Sequence, residues 1–369
     1  EEFVAENYDL DDVLYIQYSS GSTSEPKGVM ITYGNLISAI NCSPSVSEIH
    51  RIFGWVPFFH NLGLLYLLFI PLIVKGVTSG IMSQAAFLEK PSRWIEGLSE
   101  FKAQATLAPN TVFAMYPKLV PAKTLKNIDL TNLQFVLNGS EIVSDLAMKR
   151  FASEYRQFGF ELNNFAVGYG LSEVTCGVSA VLNYNSEYNI HLDFDEYKND
   201  KLVEVLPDYE NQIEFVTNGS PLKEQTVKIV NADTFEECEE DEFGEVWVQS
   251  PCVAKGYYNN EAVTNETFKA KLKGHEGIFI RTGDKGIIKN NQLYITGRLK
   301  ELIIVNGNNI LPNDIVSKVK EEIQELRETS IFPFSIMNDN KEKLVLVIGV
   351  GQLLNEEIVD RINSCVLKY

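Results

Sequence analysis

Residues 19–28 read SSGSTSEPKG and follow an apolar run at 13–18 (VLYIQY) that has the composition of a short β-strand. Gly21 and Gly28 allow backbone angles that let successive N–H groups converge on an anion. Lys27 adds a positive charge at the rim, and further donors come from the hydroxyls of Ser19, Ser20, Ser22, Thr23 and Ser24. A strand that ends in such a loop predicts a phosphate-binding site.

Two other classes of loop share part of this pattern. A P-loop NTPase needs Lys followed by Ser or Thr, whereas Gly28 follows Lys27, so the hydroxyl magnesium ligand of that class is not implied. A flexible Ser/Gly linker is the other alternative, but linkers are seldom placed between an apolar strand and a second apolar run, here residues 29–32. The pattern therefore favours a different kind of nucleotide loop.

The composition predicts a chain with more than one packed core. It has 369 residues, of which 45% are hydrophobic. The formal charge of -18, from 32 basic and 50 acidic residues, argues against nucleic-acid binding, because that activity needs basic patches that displace counterions. A polyphosphate substrate must therefore be bound by local donors and magnesium. The five cysteines form no Cys-x-x-Cys pair, which predicts reduced thiols, a cytoplasmic location and no metal cage.

The most apolar segment covers residues 62–74 and contains Pro71. A membrane-spanning helix needs about 20 apolar residues. The segment is shorter than that, so it predicts a buried helix and strand and no membrane span. The first residues of the chain show no basic and apolar progression, and no secretory signal is expected.

A strand, a helix and a second strand follow one another in the middle of the chain. Residues 133–137 (LQFVL) are strand-like and end in a turn at Asn138, Ser144 can cap the following helix, and residues 165–167 (FAV) form the next strand. This order predicts a parallel crossover, and in open parallel sheets the ligand lies beyond the carboxyl ends of the strands. The turn at Asn138 and the segment from Tyr169 are therefore expected to face one crevice.

The later part of the chain changes character. Short apolar runs separated by turns predict a compact antiparallel or barrel-like subdomain; they lie at 227–230, 244–249, 278–280, 286–288 and 292–295. The acidic run at 236–242 is interpreted as a solvated turn. The segments beyond residue 298 predict a small α+β domain; they are a strand at 302–305, a helix from about Pro312, a hairpin around 337–343 and a helix from Asn355.

Six segments in this order resemble the motifs of the adenylate-forming superfamily, which comprises acyl-CoA synthetases, peptide-synthetase adenylation domains and luciferases. They are the phosphate loop at 19–28, the aromatic-His-x-x-Gly element at 59–63, the adenine turn NGSE at 138–141, the nucleotide and magnesium motif YGLSE at 169–173, the ribose motif RTGD at 281–284 and the hinge motif GRLKELI at 297–303. Any one of them can arise by chance, but six in order very rarely do.

The resemblance implies an α/β, adenylate-forming fold in two parts. The adenylation core would cover residues 1–297, with a parallel α/β part to about 215 and a barrel-like part over about 216–297. A mobile, truncated α+β lid domain would cover 298–369, with Lys300 as the hinge residue. In the family, well over a hundred residues precede the phosphate loop, and a catalytic lysine lies beyond the position that corresponds to Tyr369. The chain is therefore interpreted as incomplete at both ends.

ATP and magnesium are the cofactors that the resemblance implies. The residues that it assigns to the nucleotide are Ser19, Ser20, Gly21, Ser22, Thr23, Asn138, Gly139, Ser140, Glu141, Tyr169, Gly170, Asp284 and Arg298. Tyr169 would offer an aromatic face to adenine, Asp284 would accept hydrogen bonds from the ribose hydroxyls, and Arg298 would reach the sugar or the phosphate. A plain turn former is the other interpretation of Asp284.

Four residues are implied as catalytic groups: Glu173, Ser172, His60 and Lys27. Adenylation requires a carboxylate oxygen to attack the α-phosphorus of ATP, so charge must be neutralised and the reactants held in line. Ser172 would donate to the α-phosphate, and Glu173 would hold Mg2+ as a hard oxygen ligand, with a buried capping role as its alternative. His60 would gate the acyl tunnel, although a histidine beside an apolar strand is more often a core residue.

Several details resemble the fatty acyl-AMP ligases, which transfer the activated acid to an acyl carrier protein rather than to coenzyme A. They are Ser-Glu at 24–25, Gln-Tyr at 17–18, the NGSE turn at 138–141, and a polar and aromatic stretch at 179–218, where these ligases carry an extra segment that restrains the C-terminal domain. Among the departures, Asn61 stands where these ligases usually have Asp.

Three hypotheses about function follow. The first is a fatty acyl-AMP ligase that activates a medium- or long-chain fatty acid for an acyl carrier protein or a polyketide or peptide synthase carrier domain. The second is an acyl-CoA synthetase or another adenylation domain for an aryl or amino acid, although no aspartate that pairs a substrate ammonium is identified. The third is a nucleotide- or acyl-binding remnant without catalysis.

Overall fold

The computed structural model describes residues 7–19, 26–43, 48–175, 177–301, 303–305, 308–327, 329–338, 341–349 and 356–366. Several predicted features lie outside these ranges; they are Ser20, Gly21, Ser22, Thr23 and Ser24 of the phosphate loop, Leu302 of the hinge motif and Asn355.

The described chain alternates between strands and helices. In chain order the strands are β1 (Val13–Ser19), β2 (Lys27–Thr32), β3 (Arg51–Gly54), β4 (Thr78–Ile81), β5 (Ala105–Pro109), β6 (Phe135–Gly139), β7 (Phe165–Gly170), β8 (Gly177–Val181), β9 (Ile190–Asp193), β10 (Gln212–Phe215), β11 (Ser220–Pro221), β12 (Thr226–Val230), β13 (Gly244–Gln249), β14 (Ile280–Lys289), β15 (Gln292–Arg298), β16 (Ile303–Val305), β17 (Asn308–Ile310), β18 (Ser330–Asn338) and β19 (Lys341–Gly349). The helices are α1 (Tyr33–Cys42), α2 (Ile70–Ile73), α3 (Gln84–Glu89), α4 (Ser92–Glu100), α5 (Asn110–Leu119), α6 (Asp145–Tyr155), α7 (Phe194–Tyr197), α8 (Glu261–Phe268), α9 (Pro312–Glu322) and α10 (Glu356–Val366). A π-helical segment, Gly63–Phe69, precedes α2, and single 3-10 turns include Ser172–Val174 and Leu299–Glu301.

The predicted phosphate loop connects two paired strands. β1 and β2 are antiparallel, and Ser19 lies opposite Lys27 in their register. α1 follows directly and begins with a capping box, in which Thr32 Oγ1 accepts from Asn35 N at 3.1 Å and Asn35 Oδ1 accepts from Thr32 N at 3.1 Å. The ends of the loop are therefore held side by side, as a loop that closes around a ligand requires.

A seven-stranded sheet confirms the predicted α/β architecture. Its strand order is β11-β8-β7-β6-β5-β3-β4, with β4, β3, β5, β6 and β7 parallel and β8 and β11 antiparallel at one edge. The predicted strand at 133–137 begins two residues later, at Phe135, and α6 is capped as expected, with Ser144 Oγ accepting from Ala147 N at 3.3 Å. The carboxyl ends of β6 and β7 therefore lie next to each other.

An aromatic core fixes this sheet to the helices beside it. Trp94 of α4, Phe113 of α5, Phe151 of α6 and Phe165 of β7 are all buried. The Phe113 ring lies edge-on to Phe151 and Phe165, with centroid distances of 5.2 and 5.0 Å. Such pairs add to the stabilisation from area burial, so the strand ends rest on a tightly packed base.

The apolar segment at 62–74 is helical, and the predicted strand within it was wrong. The π-helical segment Gly63–Phe69 continues into α2, with Leu65, Leu67 and Ile70 buried. A continuous apolar run buries equally well as a strand or as a helix, so periodicity does not separate the two. Within the part of the chain that the structure describes, no helix is both long enough and apolar enough to cross a membrane.

A second sheet is formed by the later part of the core. Its order is β12-β13-β14-β15, and all its pairs are antiparallel. The runs predicted at 278–280 and 286–288 are not two strands. Ile280 and residues 286–288 belong to one continuous β14, and Ile278 and Phe279 precede it. A bulge interrupts the pairing, because Glu245 lies opposite Lys285 while Trp247 lies opposite Arg281. The four strands thus form an antiparallel sheet, and closure into a barrel stays a prediction.

The remaining elements form smaller units. β9 and β10 pair beside α7, while α9 begins at Pro312 as predicted and packs with the β18–β19 hairpin and α10. Lys318 of α9 is buried and donates from Nζ to the carbonyl oxygen of Gln212 in β10 at 2.8 Å. This contact joins the α9 unit to the segment at 179–218.

Candidate active site

A cavity of about 510 Å³ is lined by residues from both large sheets and from β1 and β2. It brings together many of the predicted site residues; these are Lys27, His60, Gly139, Ser140, Tyr169, Gly170, Ser172, Glu173, Arg298 and Lys300. A second cavity of about 230 Å³ shares Ser140, Tyr169, Gly170 and Arg298 and adds Glu141 and Asp284. The predicted crevice at the ends of β6 and β7 therefore exists, and Tyr169 lies where the two cavities meet.

Two residues of the predicted adenine turn have other partners. Asn138 is fully buried, lines neither cavity, and donates from Nδ2 to Asn110 Oδ1 at 3.3 Å. Glu141 is exposed and accepts from the backbone N and the hydroxyl of Thr111 at 2.8 and 2.6 Å. Ser140, between them, has a φ of 68°. These bonds hold the turn in shape and leave Gly139 and Ser140 at the cavity surface.

A buried carboxylate links the two sheets. Asp284 is 4% exposed and accepts from the Tyr169 hydroxyl at 2.6 Å, while Arg298 Nε lies 3.2 Å from its other oxygen. Burial raises the pKa of Asp284, and the charge of Arg298 and the Tyr169 hydrogen bond act in the opposite direction. Burial, reinforced by the Asp284 charge, also raises the pKa of Tyr169, so a neutral phenol donates to the carboxylate. Nucleoside hydroxyls placed here would meet a fixed acceptor.

Glu245 holds the bulge that carries Asp284. It is 2% exposed; Oε1 accepts from Gly283 N at 3.0 Å, and Oε2 accepts from Arg281 Nε at 3.0 Å and from Trp247 Nε1 at 2.9 Å. Gly283 has a φ of 73°, which only a residue without Cβ adopts readily. Asp284 therefore lies in a strand bulge, which disagrees with the alternative interpretation of this residue as a plain turn former. Sequence reasoning missed Glu245, although a single acid in the apolar run GEVWVQ is a usable signal.

Ser172 and Glu173 lie in the 3-10 turn directly after β7. Asn61 Nδ2 donates to Ser172 Oγ at 2.9 Å, and the Oδ1 atom of Asn61 is buried without a hydrogen-bond partner among the described residues. Glu173 Oε1 accepts from the Tyr257 hydroxyl at 2.8 Å. Both Asn61 and Tyr257 line the cavity. Neither was predicted as a site residue, because nothing near them in sequence links them to the YGLSE motif.

The carboxylate of Glu173 fits the magnesium role that the sequence implied. Oε2 has no hydrogen bond among the described residues, and a carboxylate oxygen is a preferred ligand of this hard cation. Within the described ranges, no group of three or more His, Cys, Asp and Glu side chains could hold a metal ion. A magnesium ion here would therefore take most of its ligands from phosphate and water, as Mg2+ commonly does in nucleotide sites.

His60 lies in the turn before the π-helical segment. Its Nδ1 accepts from Leu62 N at 3.2 Å, and Gln17 Nε2 donates to the carbonyl oxygen of Phe59 at 2.6 Å, which holds the same turn. Desolvation by the surrounding protein lowers the pKa of the imidazole, although the residue as a whole is exposed. The neutral ring thus carries its proton on Nε2.

Part of the lining of the larger cavity is apolar. It includes Leu62, Tyr66, Phe135 and Leu137, and the Tyr66 and Phe135 rings stack with centroids 6.4 Å apart. The same two aromatic residues also border a small apolar pocket lined by Ile49, Ile52 and Ile70. The cavity therefore offers both charged and apolar groups to one ligand.

Comparison with known proteins identifies what the chain resembles. The family model described as "AMP-binding enzyme" matches residues 2–258. The medium-chain-fatty-acid–[acyl-carrier-protein] ligase JamA of Moorena producens is 34% identical over 91% of this chain and 58% of its own length. The long-chain-fatty-acid–AMP ligase FadD32 of Mycobacterium marinum is 33% identical over 87% of this chain and 54% of its own.

A solved structure agrees with these relatives. The fatty acyl-adenylate ligase of Legionella pneumophila, crystallised with acyl adenylate and pyrophosphate, superposes with a TM-score of 0.77 and 30% identity, over 98% of this chain and 64% of that one. The chain thus spans between half and two thirds of the length of the proteins that it matches.

Proposed function

The chain belongs to the AMP-binding enzyme family, and from that premise we propose that the protein activates a medium- or long-chain fatty acid with ATP. The products are an acyl-adenylate and pyrophosphate, and the acyl group passes to an acyl carrier protein or to a carrier domain of a polyketide or peptide synthase. The observation that supports this most directly is one cavity whose lining combines Glu173 and Arg298 with the apolar groups of Tyr66, Phe135 and Leu137.

The described residues divide the work of adenylation between them. Asp284, fixed by Tyr169 and Arg298, would orient the nucleoside, and Ser172 would donate to the α-phosphate. Lys27 and Arg298 would neutralise charge as the fatty-acid carboxylate attacks the α-phosphorus and the bond to pyrophosphate breaks. When bound, magnesium neutralises further charge on the phosphates, and Glu173 would hold it. Ser19 and the loop residues Ser20, Gly21, Ser22 and Thr23 complete the proposed phosphate site.

His60 and the apolar residues would place the acid for this attack. The neutral imidazole at the turn can donate from Nε2 to the carboxylate without forming a permanent ion pair with it. The acyl chain would then run toward Tyr66 and Phe135, whose rings offer apolar area. Holding both reactants in line supplies much of the rate enhancement that such a reaction needs.

Transfer to a carrier protein requires the later half of the chain. We place the boundary between the adenylation core and a lid domain near residue 297, with Lys300 as its hinge in the 3-10 turn Leu299–Glu301. The segment at 179–218 touches α9 through the bond from Lys318 to Gln212 and would restrain the lid. We also propose a cytoplasmic location, because the described cysteines, Cys42, Cys238, Cys252 and Cys365, are free thiols.

The test is ATP–pyrophosphate exchange by the complete natural protein with a panel of fatty acids. We expect exchange that depends on medium- or long-chain acids, acyl transfer to a phosphopantetheinylated carrier protein, and little acyl-CoA. Abundant thioester formed with free coenzyme A would favour an acyl-CoA synthetase instead. No exchange with any acid would favour a binding protein without catalysis.

A further inference from the structure

We propose that Tyr257 is a positioning residue that keeps the carboxylate of Glu173 and the ammonium of Lys27 apart, so that each can act on the phosphates and the metal of a bound nucleotide. The inference rests on the proposed function and adds a residue that the sequence motifs do not contain. It starts from one buried side chain that contacts both charged groups.

Tyr257 uses two different parts of its side chain for these contacts. The hydroxyl donates to Glu173 Oε1 at 2.8 Å, while Lys27 Nζ lies over the ring face, 4.9 Å from the centroid. Tyr257 is only 5% exposed, and all three residues line the larger cavity. The phenol therefore contacts both Glu173, in the 3-10 turn after β7, and Lys27, the first residue of β2.

The backbone around Tyr257 is tied to both of these elements. Tyr258 N donates to the carbonyl oxygen of Gly28 at 2.7 Å, and Met30 N donates to that of Gly256 at 2.9 Å, which joins the segment to β2. Ala254 N donates to the carbonyl oxygen of Glu173 at 2.9 Å. These bonds fix the place of Tyr257 relative to both charged residues, so its contacts do not depend on a mobile side chain.

The physical reason for the arrangement is competition between charges. An ammonium and a carboxylate that line one cavity attract each other strongly where water is partly excluded. A direct ion pair would occupy the Glu173 oxygens and remove the charge of Lys27 from the phosphates. The aromatic face holds a cation by about 0.5–2 kcal/mol without neutralising it, and one phenol hydroxyl engages only one carboxylate oxygen. Oε2 of Glu173 then remains for a metal ion.

The experiment separates the two contacts by substitution in the complete natural protein. Tyr257→Phe keeps the ring and removes the hydroxyl, whereas Tyr257→Leu removes both. Mn2+ serves as the probe for the magnesium site, and its binding in the presence of a non-hydrolysable ATP analogue is measured by electron paramagnetic resonance. We expect Tyr257→Phe to weaken Mn2+ binding about 10-fold, as expected for a lost hydrogen bond to a charged group, and to raise the half-saturating Mg2+ concentration in exchange with little change in kcat.

A double variant distinguishes positioning from simple structural support. If Tyr257 keeps Lys27 away from Glu173, then adding Lys27→Met should restore part of the Mn2+ affinity lost in Tyr257→Leu. It should restore none of the affinity lost in Tyr257→Phe, because that variant keeps the ring over which Lys27 lies. Tyr258→Phe is the matched control, because this neighbour is 51% exposed and contributes only its backbone. Its Mn2+ affinity should equal that of the wild type.

The two proposals fail in different ways. Unchanged Mn2+ affinity in folded Tyr257→Phe, or no recovery on adding Lys27→Met to folded Tyr257→Leu, would overturn the positioning role while fatty-acid-dependent exchange by the wild type still stood. Absence of exchange in the wild type would overturn the proposed function, and the Mn2+ measurement would then judge the positioning role alone. Circular dichroism and thermal unfolding verify that each variant is folded.

Discussion

Two walls line the two cavities, and they are built differently. The strand-end wall consists of Tyr169, Ser172 and Glu173, which follow or end β7. The bulge wall consists of Glu245, Arg281, Gly283, Asp284 and Arg298 on the antiparallel sheet. In the strand-end wall, Ser172 and Glu173 are half-buried, and each side chain has one hydrogen-bond partner among the described residues. In the bulge wall, both carboxylates are almost fully buried and accept from two or three donors.

The difference indicates a division between ligand contact and shape. A polar group with spare hydrogen-bonding capacity at a cavity surface can bind a ligand, whereas a buried carboxylate that lost its donors would destabilise the fold. We therefore expect substitutions in the strand-end wall to affect activity more than stability. Substitutions at Glu245 in the bulge wall should affect stability more than activity. Asp284 belongs to the bulge wall but is hydrogen-bonded to Tyr169 of the strand-end wall, and its substitution should affect nucleotide binding.

The largest effect is expected for Glu173→Gln in the strand-end wall. The amide is a poorer ligand for a hard cation than the carboxylate, so we expect ATP–pyrophosphate exchange to fall about 1000-fold, which is about 4 kcal/mol in activation free energy. Glu210→Gln is the control, since Glu210 is exposed. Exchange at the wild-type rate in Glu173→Gln would remove this residue from the metal site.

Glu245→Gln tests the bulge wall through stability. The amide cannot accept from Gly283, Arg281 and Trp247 together, and Arg281 would lose its charged partner, so we expect the free energy of unfolding to fall by about 3 kcal/mol. Urea denaturation measures this. Ser172→Ala is the counterpart from the strand-end wall, and it should cost less than about 1 kcal/mol in stability. Equal losses in both variants would contradict the division between the walls.

Asp284→Asn tests the residue that joins the walls. The variant keeps the size of the side chain but removes the charge that Arg298 faces and weakens the bond from Tyr169. We expect the KM for ATP to rise about 10-fold with a smaller change in kcat, because a charge-assisted bond contributes about 1.5–3 kcal/mol. Asp208→Asn at an exposed position is the control. A loss confined to kcat would place Asp284 at the reacting atoms instead.

A third buried carboxylate provides the smallest predicted effect and a test by pH. Burial raises the pKa of Asp314 in α9 to about 7, with Lys285 and the Tyr197 hydroxyl acting against the rise. A raised pKa means that this acid stabilises the fold most below its ordinary pKa of 3.8 and loses that contribution as the pH rises to about 7. Asp314→Asn should therefore gain stability relative to the wild type between pH 6 and pH 7, by about 1 kcal/mol.

Urea midpoints at the two pH values measure this gain. Each protein is compared with itself at pH 6 and pH 7, so any effect of the substitution that is the same at both values cancels. Asp360→Asn, at an exposed site in α10, should show no such trend. If the difference in stability between the wild type and Asp314→Asn does not change with pH, then Asp314 is already paired as an anion. Its environment would then resemble that of the two carboxylates in the bulge wall.

The sequence predicted the elements whose local signals are strong. The crossover from β6 through α6 to β7 follows from an apolar run, a capping Ser144 and a second apolar run, and α9 begins at Pro312 because proline favours the first turn of a helix. The YGLSE motif located Ser172 and Glu173 at a strand end. The helical state of residues 62–74 was missed in part, because burial on all sides leaves no periodic pattern.

Residue order alone determined the family motifs, the α/β alternation and the acids and hydroxyls available to a nucleotide, because these depend on neighbours in the chain. Only the tertiary structure decided which distant side chains serve them. Tyr257 reaches Glu173, Asn61 reaches Ser172, and Glu245 fixes the bulge that carries Asp284. These partners are far apart in sequence, and hydrogen bonds between such groups form only when the fold brings their elements together.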